Sequence, residues 1–214
     1  MSEITKIEDQ KNKKRVNIFV DDAFFCGLHK EIVVIFGLKV GKNIDEKALK
    51  QAVFESEVKM AFEKAMDYLS LRMHTQKELF EKLLKKGYEK DIIEKAIEKL
   101  EEYHYIDDNL FARQFIEQNK KYSKKMLENK LKAKGISTDI TKTNMTDRQE
   151  TEELELCLFY ASKYAKNKDV SSLNGVQKMY ASLSRKGFSF ETIKKACSKV
   201  IPKDSDIDEI DVSD

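Results

Sequence analysis

Asp107 and Asp108 are the residues of this 214-residue chain best suited by type and spacing to catalysis. Adjacent carboxylates can hold a divalent cation or shift one another's proton affinity. No third ligand recurs at a suitable distance, however, and the pair directly precedes NLFARQFI. We therefore read one Asp as a helix N-cap and the other as a partner for the positive helix end. Cys26, Cys157 and Cys197 are odd in number, widely separated and without the paired spacing of a zinc site or disulfide framework, so they read as reduced core thiols. His29, His74 and His104 have no metal-ligand rhythm. The sequence holds neither a Gly-rich phosphate loop nor a nucleophile constellation. It predicts no metal, no cofactor and no enzymatic activity; a nuclease built on Asp107 and Asp108 is the weakest of the functional readings.

The remaining chemistry is cationic. Between positions 120 and 142, Lys120, Lys121, Lys124, Lys125, Lys130, Lys132, Lys134 and Lys142 face only Glu128 and Asp139, a local charge of +6. Lysines on successive helical turns can contact phosphates, each contact adding to the salt dependence of affinity. Lysine is also the ordinary solubilising residue of helix surfaces, so both readings stay open. Arg72, Lys85, Lys86, Arg185 and Lys186 are candidate extensions of the contact surface. Tyr68, Tyr88, Tyr103, Tyr105 and Tyr122 can in principle stack on bases, but their positions at helix faces and ends predict partial burial.

The net charge of +2 conceals a segregation. The last eleven residues, DSDIDEIDVSD, carry six acids and no base, leaving 40 bases against 32 acids over the other 203 residues. Pro202 should stop the last helix, and an acidic, disordered tail over 202–214 is expected. No apolar run approaches the ~20 residues needed to span a bilayer, and MSEITKIEDQKNKKR has no apolar signal-like region, so the chain reads as cytoplasmic.

The elements that must position these residues repeat. LLKKGYEKDII from Leu83, LKAKGISTDI from Leu131 and LSRKGFSFETI from Leu183 align on Gly87, Gly135 and Gly187, spaced 48 and 52 residues apart. In each copy Leu or Met lies eight residues before glycine, Leu four before, Lys one before and an apolar residue one after. The pattern predicts a helix ended by a left-handed glycine and a second helix beginning almost at once, capped near Glu89, Ser137 or Ser189. Thr75 with Glu78 forms a capping-box signature, and Ser123 is an N-cap in the second copy. In the second copy Leu110, Phe111, Phe115 and Ile116 define the first helix. Ahead of the repeats, ITKIED, VNIFV and FFCGL around Asp21-Asp22 predict a small sheet or hairpin, followed by a long helix capped by Asp45. The fold class is mainly α: an elongated array of three tandem three-helix repeats behind a β-rich extension. Boundaries are expected at 1–44, 45–106, 107–146, 147–201 and 202–214.

The run YLSLRMHTQKELFEKLLKKGYEKDIIEKAIEKLEEYHYIDDNLFARQFI resembles the signature of RecX-type regulatory proteins at Arg72, Thr75, Glu78, Leu79, Leu83, Lys86, Gly87, Ile106, Asp107, Asp108, Phe111 and Ala112. LKAKGI and LSRKGFSFETI resemble that family's second and third repeats, although Ser123, Met126 and the polar TKTNMTDRQET depart from the pattern and predict a short or irregular third helix there. The resemblance implies a monomeric regulator that binds RecA recombinase and its filaments on single-stranded DNA, with double-stranded DNA a further partner. Its implied role is to inhibit recombination and the SOS response during DNA repair. A direct DNA-binding regulator with helix-turn-helix-like units is the alternative.

Overall fold

Alternating apolar residues make the N-terminal strands one-sided. β1 (Ser2–Asp9), β2 (Arg15–Val20), β3 (Ala23–His29) and β4 (Asn43–Ile44) form an antiparallel sheet ordered β3-β2-β1-β4. Ile4, Val16, Ile18, Val20 and Leu28 are buried on its inner face. Asp21 and Asp22 have φ of 47° and 65°, which gives the two-residue turn the handedness that matches strand twist. The turn is tied to β1: Asp21 Oδ1 accepts from the Glu3 amide at 3.0 Å, and the Asp22 amide donates to Thr5 Oγ1 at 2.9 Å. The short helix α1 (Lys30–Ile35) ends before Gly37, and β4 then pairs with the outer edge of β1.

These descriptions come from a computed structural model that describes residues 2–145 and 150–201. The acidic tail expected over 202–214 lies outside the described residues.

The chain divides into two compact units, residues 1–107 and 108–214. In the first, helix α2 (Glu46–Leu69) starts where Asp45 accepts from the Ala48 amide at 3.1 Å and serves two cores at once. Val53 packs into the sheet core, Val58, Ala61 and Ala65 pack with α3 (Gln76–Lys86) and α4 (Lys90–Glu102), and Met60 touches both cores. A buried ion pair crosses the same seam: Arg15 Nη1 donates to Glu57 Oε2 at 3.0 Å, with both side chains no more than 3% exposed. Arg15 Nη2 also donates to the Gly27 carbonyl at 3.2 Å, and the His29 amide donates to Glu57 Oε1 at 2.7 Å. Every charge brought into this interior is therefore multiply hydrogen-bonded.

The second unit comprises α5 (Asp108–Gln118), α6 (Lys124–Ala133), α7 (Thr138–Met145), α8 (Glu150–Ala165), α9 (Leu173–Arg185) and α10 (Phe190–Cys197). α7 is described over eight residues, and residues 146–149 of the polar TKTNMTDRQET stretch lie outside the described residues. Leu110, Phe111, Phe115 and Ile116 all fall within α5, whose buried face is carried by Phe111 and Ala112 while Leu110 is 42% exposed. Position 110 lies about 100° around the helix from 111, so the apolar stripe does not include both.

The three Lys-Gly phrases share one backbone solution. Gly87, Gly135 and Gly187 have φ of 94°, 90° and 88°. In each, the amide after glycine donates five residues back, from Tyr88 to Leu83, Ile136 to Leu131 and Phe188 to Leu183. Tyr88, Ile136 and Phe188 are then buried. Gly87 and Gly187 are also crowded: a β-carbon at 187 would sit 2.7 Å from Ser123 Oγ, 3.1 Å from Lys125 Cβ and 3.3 Å from the Met126 amide.

Gly187→Ala should accordingly lower stability by more than the ~1–2 kcal/mol of left-handed strain, whereas Gly37→Ala, with its nearest neighbour at 4.0 Å, should cost the strain alone. Urea unfolding of the two variants measures the difference. Arg15→Met or Glu57→Leu alone, each stranding a buried charge, should cost about 3–5 kcal/mol, and the double variant should recover much of that loss.

Candidate nucleic-acid interface

Ser123 caps α6 by accepting from the Met126 amide at 3.2 Å, and the same hydroxyl donates to the Lys186 carbonyl at 2.5 Å. This contact brings the first turn of α6 against the third Lys-Gly turn, so residues 63 positions apart become neighbours. Lys124 and Lys125 on one element, and Arg185 and Lys186 on the other, all stand exposed at that junction. Tyr160 reinforces it by donating its hydroxyl to the Lys121 carbonyl at 2.9 Å while the Lys186 ammonium lies 4.4 Å above its ring. The result is a local set of exposed cations gathered where the two elements meet.

Carboxylates temper but do not cancel that charge. Glu153 accepts from the Lys124 amide at 3.0 Å, occupying the positive end of α6, and Lys125 is 3.8 Å from Glu128. Lys120 is paired with Glu117 at 2.5 Å. Lys130 is half-buried with its ammonium 4.6 Å above Tyr122, and Lys132 is exposed on α6. Lys134 lies against Phe111 and Phe115, at 5.4 and 5.7 Å. The eight lysines therefore serve several tasks, and the ones at the Ser123–Lys186 contact are the group that tertiary structure concentrates.

The candidates in the first unit are dispersed. Arg72 precedes α3 and donates to Glu78 at 2.9 Å and to the Met73 carbonyl at 2.7 Å. Lys85 and Lys86 lie in the last turn of the same helix, and the Lys86 carbonyl accepts from Asn12 at 3.3 Å. Thr75 is buried and accepts from the Glu78 amide at 3.2 Å. Asp107 immediately precedes α5 and Asp108 occupies its first turn. Among the described residues no group of three His, Cys, Asp or Glu side chains could hold a metal ion, and no helix is long and apolar enough to cross a membrane.

The tyrosines divide between buried and exposed environments. Tyr88 is 7% exposed, but Tyr103 and Tyr105 are 63% and 52% exposed, against the expectation of partial burial. Burial pushes the thiols of Cys157 and Cys197 up to about 12, and that of half-buried Cys26 up to about 11, which holds all three as thiols at neutral pH. His74 is buried with Nδ1 3.0 Å from the Arg72 carbonyl, and its Nε2 has no hydrogen-bond partner among the described residues. Burial lowers its proton affinity, assisted by the nearby charges of Arg72 and Lys82.

Sequence reasoning missed the Arg15–Glu57 pair, the Ser123–Lys186 contact, Glu153 and the role of Tyr160. Each joins residues at least 29 positions apart. The capping pattern at Ser123 was the sole local signal for any of them.

Fold and surface together define a protein of three-helix units led by a small antiparallel sheet, with a cationic junction in its second unit. Three segments match family models: 2–45 the regulatory protein RecX N-terminal domain, 61–100 the first RecX three-helix domain and 150–197 the third. The chain is similar to the regulatory protein RecX of Bacillus licheniformis, 36% identical over 201 residues, covering 92% of this chain and 76% of that one. It is also similar to the regulatory protein RecX of Clostridioides difficile, 34% identical over 217 residues, covering 99% and 100%. A crystal structure of regulatory protein RecX superposes with a TM-score of 0.65 at 24% identity, covering 92% of this chain and 100% of that one, and so shares the fold. The chain belongs to the RecX family of regulatory proteins.

The His74 environment has a pH consequence. With its folded proton affinity below the ordinary value near 6.5, the stability it contributes is fully present above about pH 6.5 and is lost as pH falls through the folded value. Thermal unfolding between pH 7.5 and 5 should show that loss, and His74→Phe should flatten it.

Proposed function

We propose that this protein binds RecA recombinase and its filaments on single-stranded DNA and restrains recombinase activity, acting in DNA repair and the SOS response as a cytoplasmic, non-enzymatic, monomeric modulator. Family membership supports the regulatory role, and the resemblance of the Arg72 to Ala112 motif supports RecA as the target. The observation that carries the phosphate contact is the hydrogen bond from Ser123 to Lys186, which sets Lys124, Lys125, Arg185 and Lys186 beside one another. In this reading the charges meet the nucleic-acid backbone, which positions a protein without reading base sequence. Protein contacts with the recombinase then supply selectivity for the filament. The regulator acts by occupying the filament rather than by chemistry on its strand.

The DNA-dependent ATPase of the matching RecA on single-stranded DNA should fall when this protein is added, and fall less at higher salt. Equal ATPase with and without it would overturn the proposal. Replacing Lys125, Arg185 and Lys186 together by Gln should weaken binding and reduce the logarithmic salt slope by about 2, from ~0.7 per lost phosphate contact on a single strand. Lys132→Gln should have a smaller effect. An unchanged slope in the triple variant would assign the junction to solubility, and tight selectivity for one duplex sequence would favour the direct DNA-binding alternative.

A further inference from the structure

Helix α4 ends in the same backbone motif as the Lys-Gly phrases, but with histidine in the glycine position. His104 has φ of 56°, its amide donates to Glu101 at 2.8 Å, and the Tyr105 amide donates to Leu100, five residues back, at 2.8 Å. A non-glycine residue there carries strain that glycine avoids at positions 87, 135 and 187. That strain is accompanied by an unusual surface: Tyr103, His104 and Tyr105 are all exposed, while the next residue, Ile106, is buried and anchors the turn.

The two tyrosine rings are fixed in place. Each meets Phe62 edge-on, with ring centroids 6.1 Å apart and interplanar angles of 83° and 68°, and the tyrosines are 6.1 Å from each other. Elsewhere this chain covers the half-buried rings of Tyr68, Tyr122 and Tyr160 with its own lysines. None of the cation–ring pairs among the described residues includes Tyr103 or Tyr105.

Charge decides what these rings can take. From 95 to 107 the sequence has Glu98, Glu101, Glu102 and Asp107 against Lys95, which pairs with Glu98 at 2.5 Å, and Lys99, a local −2, and the turn lies at the negative end of the 13-residue helix α4. A phosphate backbone approaching such rings would be repelled, whereas an ammonium or guanidinium gains both the ring faces and the carboxylates. We propose that the Tyr103–Tyr105 turn is a docking surface for a lysine- or arginine-bearing segment of a partner protein. It is a second surface, opposite in sign to the Ser123–Lys186 junction and independent of it.

Titrating the full chain with a 12-residue Arg-Gly repeat peptide, and with a Glu-Gly peptide as control, tests the assignment through the tyrosine ring resonances. Shifts of the Tyr103 and Tyr105 rings with the Arg-Gly peptide alone, weakening with salt, are expected. Tyr103→Ala with Tyr105→Ala should weaken peptide binding about ten-fold, from two exposed cation–ring contacts, and leave single-stranded DNA binding unchanged. Glu102→Lys, which keeps both rings, should weaken the peptide several-fold and guards against a folding artefact in the tyrosine variant. Peptide affinity unchanged in both variants would overturn the proposal, as would ring shifts produced by oligothymidine but not by the peptide, which would assign the rings to bases.

Discussion

The left-handed turn that ends the second helix of each repeat is the constraint on which the rest of this structure depends. A helix must stop somewhere, and its final carbonyls need donors. Here the stop places the next amide under the helix end, so the chain reverses within two residues and the following apolar side chain is driven into the core. Because the turning residue has no side chain, polar side chains from other elements can come close. Asn12 uses that space to reach the Lys86 carbonyl in the first unit, and Ser123 uses it to reach Lys186 in the second. One local device thus closes a repeat and also offers a carbonyl to a neighbouring element.

The sheet and first repeat are held by a different balance. Apolar contact along α2 supplies most of the attraction, with Met60 shared between the two cores. The Arg15–Glu57 pair adds orientation rather than bulk adhesion, because two buried charges tolerate only the arrangement in which all their hydrogen bonds are made. This is a polar lock inside a greasy seam. It fixes how β2 and β3 lie on the helix, while Ile18 and Leu28 would accept several arrangements.

Charge separation by tertiary contact turns an unremarkable net charge into two distinct surfaces. Lysines spread along the sequence become a group at the junction of α6 with the third Lys-Gly turn, while the aromatic end of α4 is left among acids. The same kind of ring meets a different neighbour on each: Lys186 rests on Tyr160, whereas among the described residues no lysine is seated on Tyr103. A regulator of the kind we propose has use for both signs, one for phosphates and one for basic protein segments.

By itself the sequence determined the class of fold, the helix ends and the repeat. Caps such as Asp45, Thr75, Ser123 and Ser189, and the turns at Gly87, Gly135 and Gly187, act through hydrogen bonds within about five residues, so spacing alone reveals them. Tertiary structure decided which residues meet. The two-residue strand β4 exists because β1 offers an unpaired edge; its own residues carry no strand signal. Glu57 is buried because Arg15 and the His29 amide wait for it 42 and 28 residues away. Tyr103 and Tyr105 are exposed although their neighbours Leu100 and Ile106 are fully or nearly buried, since a left-handed residue between them turns the chain outward. Helical periodicity assumes a continuing helix, and at such a turn that assumption ends. Local hydrogen bonding is written in neighbouring residues, whereas burial and charge clustering depend on which distant surfaces the folded chain brings together.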